Sequence, residues 1–382
     1  MSVANIIHAA YFSKGINGLW GLPIFFVGEP GIGKSSILSA FTRKWDIPLK
    51  VLSPALHGEG AFGVIPVPGK DGLDHPAPTW TREFTDGGLV FVDEPNAAGP
   101  ALQPPIMGLV CDRRIGDHFL GERTRTLMAM NPVEVAANGH DLSAPLANRG
   151  GWVKWDPQAV ETFVQFLMGE GQGEKIEVQD AKKEEARVEK AWPEAYARSV
   201  GLISSFLMSH PDLKNKCPKA GDPAASGAWP SDRSWDMALR ALAGTFVHSM
   251  TDADKDSFVA GFIGPVAYEA LSTFIEQADM PHIPDVADGK VAFEWNAKRL
   301  DRCAAILSAC VALVVPSAAD RRVERAARIW TFLGNAGAYD ITVPAAQALV
   351  KAGLHLSKEA APVLTKIHPA LRAAGIRAGE AI

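Results

Sequence analysis

Residues 28–36 read GEPGIGKSS, which sets Gly28, Gly33, Lys34 and Ser35 in the spacing G-x-x-x-x-G-K-S. That spacing suits the phosphates of a nucleotide. Glycines let successive backbone N–H groups curl around phosphate oxygens, and a helix that begins there aims its positive end at them. The Lys34 amine would reach the β- and γ-phosphates, and the Ser35 hydroxyl would face Mg²⁺. The expected cradle is Gly28, Glu29, Pro30, Gly31, Ile32, Gly33, Lys34, Ser35 and Ser36. A second stretch, GGLVFVDE (87–94), ends an apolar run in two carboxylates. Asp93 is expected near Ser35 and the metal, and Glu94 is placed to polarise an attacking water as general base. Together the two stretches predict hydrolysis of ATP or GTP.

The elements that must hold these groups are also readable. PIFFVG (23–28) is a short apolar run of the kind a buried parallel strand shows, and SSILSAFTRKW (35–45) carries Ile37, Leu38 and Phe41 at helical spacing. The phosphate motif thus falls between a strand and a helix. Parallel strands of one sheet bring their C-terminal ends to one edge, which would gather the two motifs. RTLMAM (125–130) is a third strand candidate, followed by Asn131 and Pro132. Asn131 at a strand tip would orient a water, although Asn-Pro alone is a turn signal. PLANRGGWVKWD (145–156) sets Arg149 before a fourth strand. A lone Arg there is ordinarily a surface charge; in a ring of subunits it would enter a neighbour's site and stabilise transition-state charge.

The bulk properties narrow the class. The chain has 382 residues, enough for two or three packed units, with 47% hydrophobic and 21% charged residues. The net charge of -5 and the lack of a long basic stripe argue against charge-driven binding to nucleic acid. The four cysteines, Cys111, Cys217, Cys303 and Cys310, form no C-x-x-C pair and read as reduced thiols of a cytoplasmic protein. The start, MSVANIIHAAYFSK, lacks a secretory signal, and the longest apolar run, about 304–315, is too short to span a bilayer.

Taken in order, GEPGIGKS, LVFVDEPNAA, AMNP and PLANR resemble the Walker A, Walker B, sensor 1 and arginine-finger motifs of AAA+ ATPases. The set is similar to the MoxR-like, dynein-related branch, whose Walker B commonly reads D-E and then Asn two residues on; here it is Asp93-Glu94-Pro95-Asn96. Pro95 departs from a more usual Leu or Ile and would break a helix starting directly there. The resemblance covers about residues 1–245. It implies ATP with Mg²⁺, a homo-oligomeric ring of six subunits, Asn131 as water-positioning residue and Arg149 as a finger entering the neighbour's site. WPSDRSWDMALRAL (229–242) resembles the start of a lid, with Arg233 as the sensor 2 residue reaching the γ-phosphate from it. The stretch 57–80 and the hairpin RIGDHFLGERTRT (114–126) match insertions that face a pore or partner in such rings. The branch implies chaperone-like remodelling of a client, or metal-cofactor insertion, with a von Willebrand factor A-type partner.

The expected fold class is α/β: a P-loop AAA+ core with a parallel sheet flanked by helices, then an all-α lid and a helical C-terminal region. The expected division is 1–165 for the core, 166–230 for a charged connector and solvated helix kinked or begun at Pro193, and 231–382 for the lid and C-terminal helices, the last of them two short Ala-rich helices over 344–382. Two other functions remain open. Arg113, Arg114, Arg123 and Arg125 would serve a nucleic-acid motor on the same fold, and a switch or scaffold would bind ATP with little turnover.

Overall fold

The computed structural model describes residues 2–135, 140–168, 177–219, 221–318, 321–336 and 339–355, with single residues 372 and 375. The chain runs α1 (Val3–Phe12), β1 (Ile24–Val27), α2 (Lys34–Trp45), β2 (Leu49–Leu52), a one-turn α3 (Pro54–His57), a hairpin β3–β4 (Val67–Pro68, Leu73–Asp74), β5 (Gly88–Asp93) and α4 (Gln103–Asp112). A second hairpin, β6–β7 (Arg114–Ile115, His118–Phe119), precedes β8 (Thr124–Met130), α5 (Ala144–Ala147), β9 (Gly151–Lys154) and α6 (Val160–Leu167). Helices follow: α7 (Ala181–Ser209), α8 (Asp232–Val247), α9 (Asp252–Ile263), α10 (Pro265–Gln277), α11 (Ile283–Ala287), α12 (Leu300–Val314), α13 (Arg322–Gly334) and α14 (Tyr339–Lys351).

Five strands form one sheet in the order β2-β5-β8-β1-β9, and every pairing is parallel. The central strands are covered on both faces, which explains their unbroken apolar runs: Ile24, Phe25 and Phe26, Leu89 to Val92, and Leu127 to Met130 are all buried. On one face Phe25, Val90, Val92 and Met128 pack with Ile106, Leu109 and Val110 of α4. α9 lies on β9 at close range, since a Cβ on Gly261 would come 2.8 Å from the Trp152 carbonyl oxygen. This is the expected α/β P-loop core with a largely helical C-terminal region.

Packing divides the chain into two units, Met1–Lys190 with Lys214–Tyr268, and Ala191–Leu213 with Glu269–Ile382. Helices α8 and α9, expected among the C-terminal helices, belong to the first unit, where α8 packs on α1 and α9. The second unit is built around α12, which packs with α11, α13 and α14 and buries Cys303 and Cys310. Trp330 of α13 is fully buried and donates its indole N–H to the Leu354 carbonyl at 2.8 Å. Pro193 falls inside the continuous helix α7 rather than starting one, and that helix is not merely a solvated connector: Glu185, Val188, Trp192 and Ala197 are buried. Of the Ala-rich end, α14 covers Tyr339–Lys351 and keeps Pro344 inside it. The second helix expected there lies outside the described residues, as does 169–176 of the expected connector. Among the described residues no helix is long and apolar enough to cross a bilayer.

Candidate nucleotide site

The phosphate loop leaves the C-terminal end of β1. Its entry is tight: a Cβ on Gly28 would stand 2.4 Å from the Trp155 carbonyl oxygen, so this position admits no side chain. Gly31 and Gly33 adopt φ of 82° and 86°, a left-handed backbone that glycine takes without steric cost. Apart from its chain neighbours, nothing lies within 4 Å of where either Cβ would be, so the space at both positions is open. α2 begins directly after it with no acidic residue in its first turn. Open space, N–H groups at a helix start and one lysine suit an anion.

Lys34 is the hub. The residue is 8% exposed, and its amine donates to the Gly28 carbonyl at 2.7 Å, the Glu29 carbonyl at 2.9 Å and Asn131 Oδ1 at 2.8 Å. Asn131, at the tip of β8, in turn donates from Nδ2 to Glu94 Oε1 at 2.7 Å. One bond path thus joins the loop after β1 to the ends of β8 and β5. It follows from the sheet order, because β8 lies between β5 and β1. Ser35 Oγ donates to Asp93 Oδ2 at 3.5 Å, so a hydroxyl and a carboxylate face one another beside the loop. Glu94 has φ of 56°, rare for a residue with a side chain, and its N–H donates to the Ala129 carbonyl at 2.7 Å.

The charges are arranged unevenly. Burial lowers the Lys34 amine below its ordinary pKa, against the opposing pull of Asp93 and Glu94. Burial, then the neighbouring Glu94, raises the Asp93 carboxyl, while Lys34 and the Ser35 hydroxyl work the other way. Two acids and one buried lysine leave room for a divalent cation, whose charge would relieve the repulsion between Asp93 and Glu94. Asp93 and Ser35 are the residues placed to hold it.

One partner is absent from the expected site set. Asn96 is buried and donates from Nδ2 to the Asn131 carbonyl at 3.1 Å, which fixes the Asn131 backbone beside Lys34. Its spacing from Asp93 and Glu94 was the available signal. Pro95 opens a short turn over Pro95–Ala97, and α4 starts only at Gln103, so the departure at Pro95 leaves both carboxylates in place.

Arg149 and Arg233 are not brought to this edge. Gly151, two residues beyond Arg149, donates its N–H to the Pro23 carbonyl at 2.9 Å and pairs with Ile24. Arg149 therefore stands at the opposite, N-terminal edge of the sheet. Arg233 is with it: both line a cavity of about 190 Å³ with Cys111, Asp112 and Met237. Arg233 was expected over the γ-phosphate of its own chain, and the path of α8 prevents this. Asn148 Oδ1 accepts from Ser231 Oγ at 2.6 Å and Asn148 Nδ2 donates to the Trp229 carbonyl at 3.1 Å, which ties the start of α8 to the segment bearing Arg149. Ser231 caps that helix as its type suggests, accepting from the Ser234 N–H at 3.1 Å. Arg149 donates from Nη1 to the Pro145 carbonyl, while its Nε is buried with no partner. Burial pushes the Cys111 thiol up, with Arg149 and Arg233 pulling it down, so the two guanidinium groups share one neighbour.

No family model matches the chain, and no curated protein does. Among solved structures, the crystal structure of a "putative ATPase" from Cytophaga hutchinsonii aligns over 71% of this chain and 87% of its own, at 13% identity and a TM-score of 0.47.

Proposed function

We propose that the protein hydrolyses ATP with Mg²⁺ at the edge formed by the ends of β1, β5 and β8. The observation that carries this reading is the bond path from the phosphate loop through Lys34 and Asn131 to Glu94. It joins a phosphate-binding cation, a polar group and a candidate base in one connected set. Gly28 to Ser36 would hold the phosphates, and Ser35 with Asp93 the metal, which supplies charge neutralisation during phosphoryl transfer. Glu94 would take the proton of the attacking water while Asn131 fixes its direction.

Two cations are missing from that edge, Arg149 and Arg233. Their clustering on the other edge supports a ring in which each copy presents both arginines to the next copy's phosphates. In that reading Arg233 acts from a neighbour, as Arg149 does, rather than over its own lid. A MoxR-type, hexameric, chaperone-like remodeller working with a von Willebrand factor A-type partner is the finer form of the proposal, supported by the motif order alone. The nucleic-acid reading loses two of its four arginines. Arg113 is buried and bonded to the Thr124 and Val110 carbonyls, and Arg125 is buried against Glu185.

The test is turnover by the purified chain. Mg²⁺-dependent phosphate release should vanish in Lys34→Ala, while Glu94→Gln should bind ATP and not hydrolyse it. Turnover that survives both substitutions, or none in the unaltered chain under any ATP·Mg²⁺ concentration, removes the proposal.

A further inference from the structure

Away from the sheet edge, three side chains from three elements of the first unit converge. His8 of α1 places Nε2 3.2 Å from Glu184 Oε1 of α7, and His248, which caps α8, places Nδ1 3.8 Å from the same oxygen. One ligand atom from each lies within 4.8 Å of the other two. We propose that His8, Glu184 and His248 bind one divalent transition-metal ion of the zinc class.

The distances suit it. With bonds of 2.0–2.1 Å, a tetrahedral zinc ion sets its ligand atoms about 3.3 Å apart, close to the 3.2 and 3.8 Å that separate the two histidines from Glu184 Oε1. Two imidazoles and one carboxylate are ligands that zinc takes with three protein donors and one water. A cavity of about 600 Å³ is lined by His8 and Glu184, with Asn5, Lys44 and Trp45, and gives both an access route and room for a water ligand.

A guanidinium occupies the same focus. Arg187 donates from Nη2 and Nε to the two oxygens of Glu184 at 2.7 and 2.8 Å, and Nη2 lies 3.2 Å from His248 Nδ1. Its side chain is 48% exposed, and its Nη1 also donates to the Val247 carbonyl at 3.1 Å, so a metal ion must displace that bond together with the two to Glu184. Metal and Arg187 are therefore competitors for one carboxylate and one imidazole. This separates a metal site from a purely structural ion pair: removing Arg187 weakens the ion pair and strengthens the metal site.

The experiment uses the full chain, stripped with chelator and titrated with Zn²⁺ against a chromophoric competitor, and with Co²⁺ as a spectroscopic stand-in. The expected result is one tight site with the intense visible bands of four-coordinate Co²⁺. His8→Gln and Glu184→Gln should each weaken binding by about 100-fold or more. Arg187→Gln should tighten it by about 10-fold, whichever way it moves stability. Because the readout is binding to soluble protein, a His248 variant that fails to fold is not needed. Binding unchanged in both His8→Gln and Glu184→Gln, or weakened in Arg187→Gln, overturns the site.

Discussion

The position of Arg149 makes a quantitative prediction about mixtures. From Pro23, which accepts the Gly151 N–H, to Gly28, which accepts from Lys34, the chain runs five residues along β1. At about 3.3 Å per residue the two ends are roughly 16 Å apart, further than an arginine side chain reaches. Arg149 thus cannot serve the phosphates of its own chain, and on the proposed ring it serves those of the next copy. Arg149→Ala should then lower turnover by about 10³-fold or more, and Glu94→Gln should do the same through loss of the base. An equimolar mixture should recover activity. A site works when its own chain carries Glu94 and the chain beside it carries Arg149. If subunits exchange at random around a closed ring, about one quarter of interfaces join an Arg149→Ala site to a Glu94→Gln neighbour. The mixture should therefore turn over at about a quarter of the unaltered rate, far above either parent. Steady-state phosphate release after subunit exchange at low protein concentration measures it. A mixture no faster than the mean of its parents refutes the two-copy site. The same arithmetic holds for Arg233→Ala mixed with Glu94→Gln, and a failure there alone would free Arg233 from the trans role.

Other outcomes follow from the described contacts. Asn131→Ala should cut kcat by about 10²-fold with KM little changed, because Asn131 bonds to Lys34 and to the candidate base Glu94; equal loss in kcat and rise in KM would contradict this. Arg113→Met should destabilise the chain by about 3 kcal/mol in a denaturant titration, because the Trp20, Val110 and Thr124 carbonyls lose a buried donor. A loss under about 1 kcal/mol would show that these carbonyls find other partners. Gly28→Ala should fail to fold or should lose nucleotide binding, since the new Cβ would clash with the Trp155 carbonyl oxygen; normal ATP affinity would contradict the tight turn. Asp254 ties α1 to α9 by accepting from Ser2 N–H and from Asn5 Nδ2 at 2.9 Å. Burial opposes its charge, yet the hydrogen bonds from Asn5, Ser2 and Thr251 win and hold its carboxyl below the usual value. A depressed carboxyl stabilises the fold above the unfolded pKa and loses that effect as pH falls through the folded one. Asp254→Asn should accordingly be less stable at pH 7, with the gap in Tm closing below about pH 4; a gap that does not change with pH would place its origin elsewhere.

The features legible in the sequence are those whose cause is local. A glycine-rich turn between an apolar run and a helical period admits few structures, so the sequence alone places Gly31, Gly33, Lys34 and Ser35. Asp93, Glu94 and Asn131 needed one further rule, that parallel strands end on a common edge, and β5, β8 and β1 obey it. What was not legible depends on contacts between distant segments. Arg113 and Arg125 look like surface charge in a loop, yet one is buried among backbone carbonyls and the other against Glu185, from a helix 60 residues on. No composition rule separates such an arginine from a solvated one. His8, Glu184 and His248 lie far apart along the chain, so no motif spacing could link them.

Arg233 is the most instructive case. Its cap residues were readable, since Ser231 and Ser234 close the start of α8 as their types suggest. The direction of that helix was not, because it is set by Asn148, whose two bonds to Ser231 and Trp229 have no sequence signature. Those bonds move a cation from one edge of the sheet to the other. The consequence is chemical rather than cosmetic: one edge then carries the acids, the lysine and the phosphate turn, and the other carries two arginines with an unpartnered guanidinium nitrogen on Arg149. On the proposed ring, the arginine edge of one copy completes the acidic edge of the next, so a chain alone should bind nucleotide far better than it hydrolyses it.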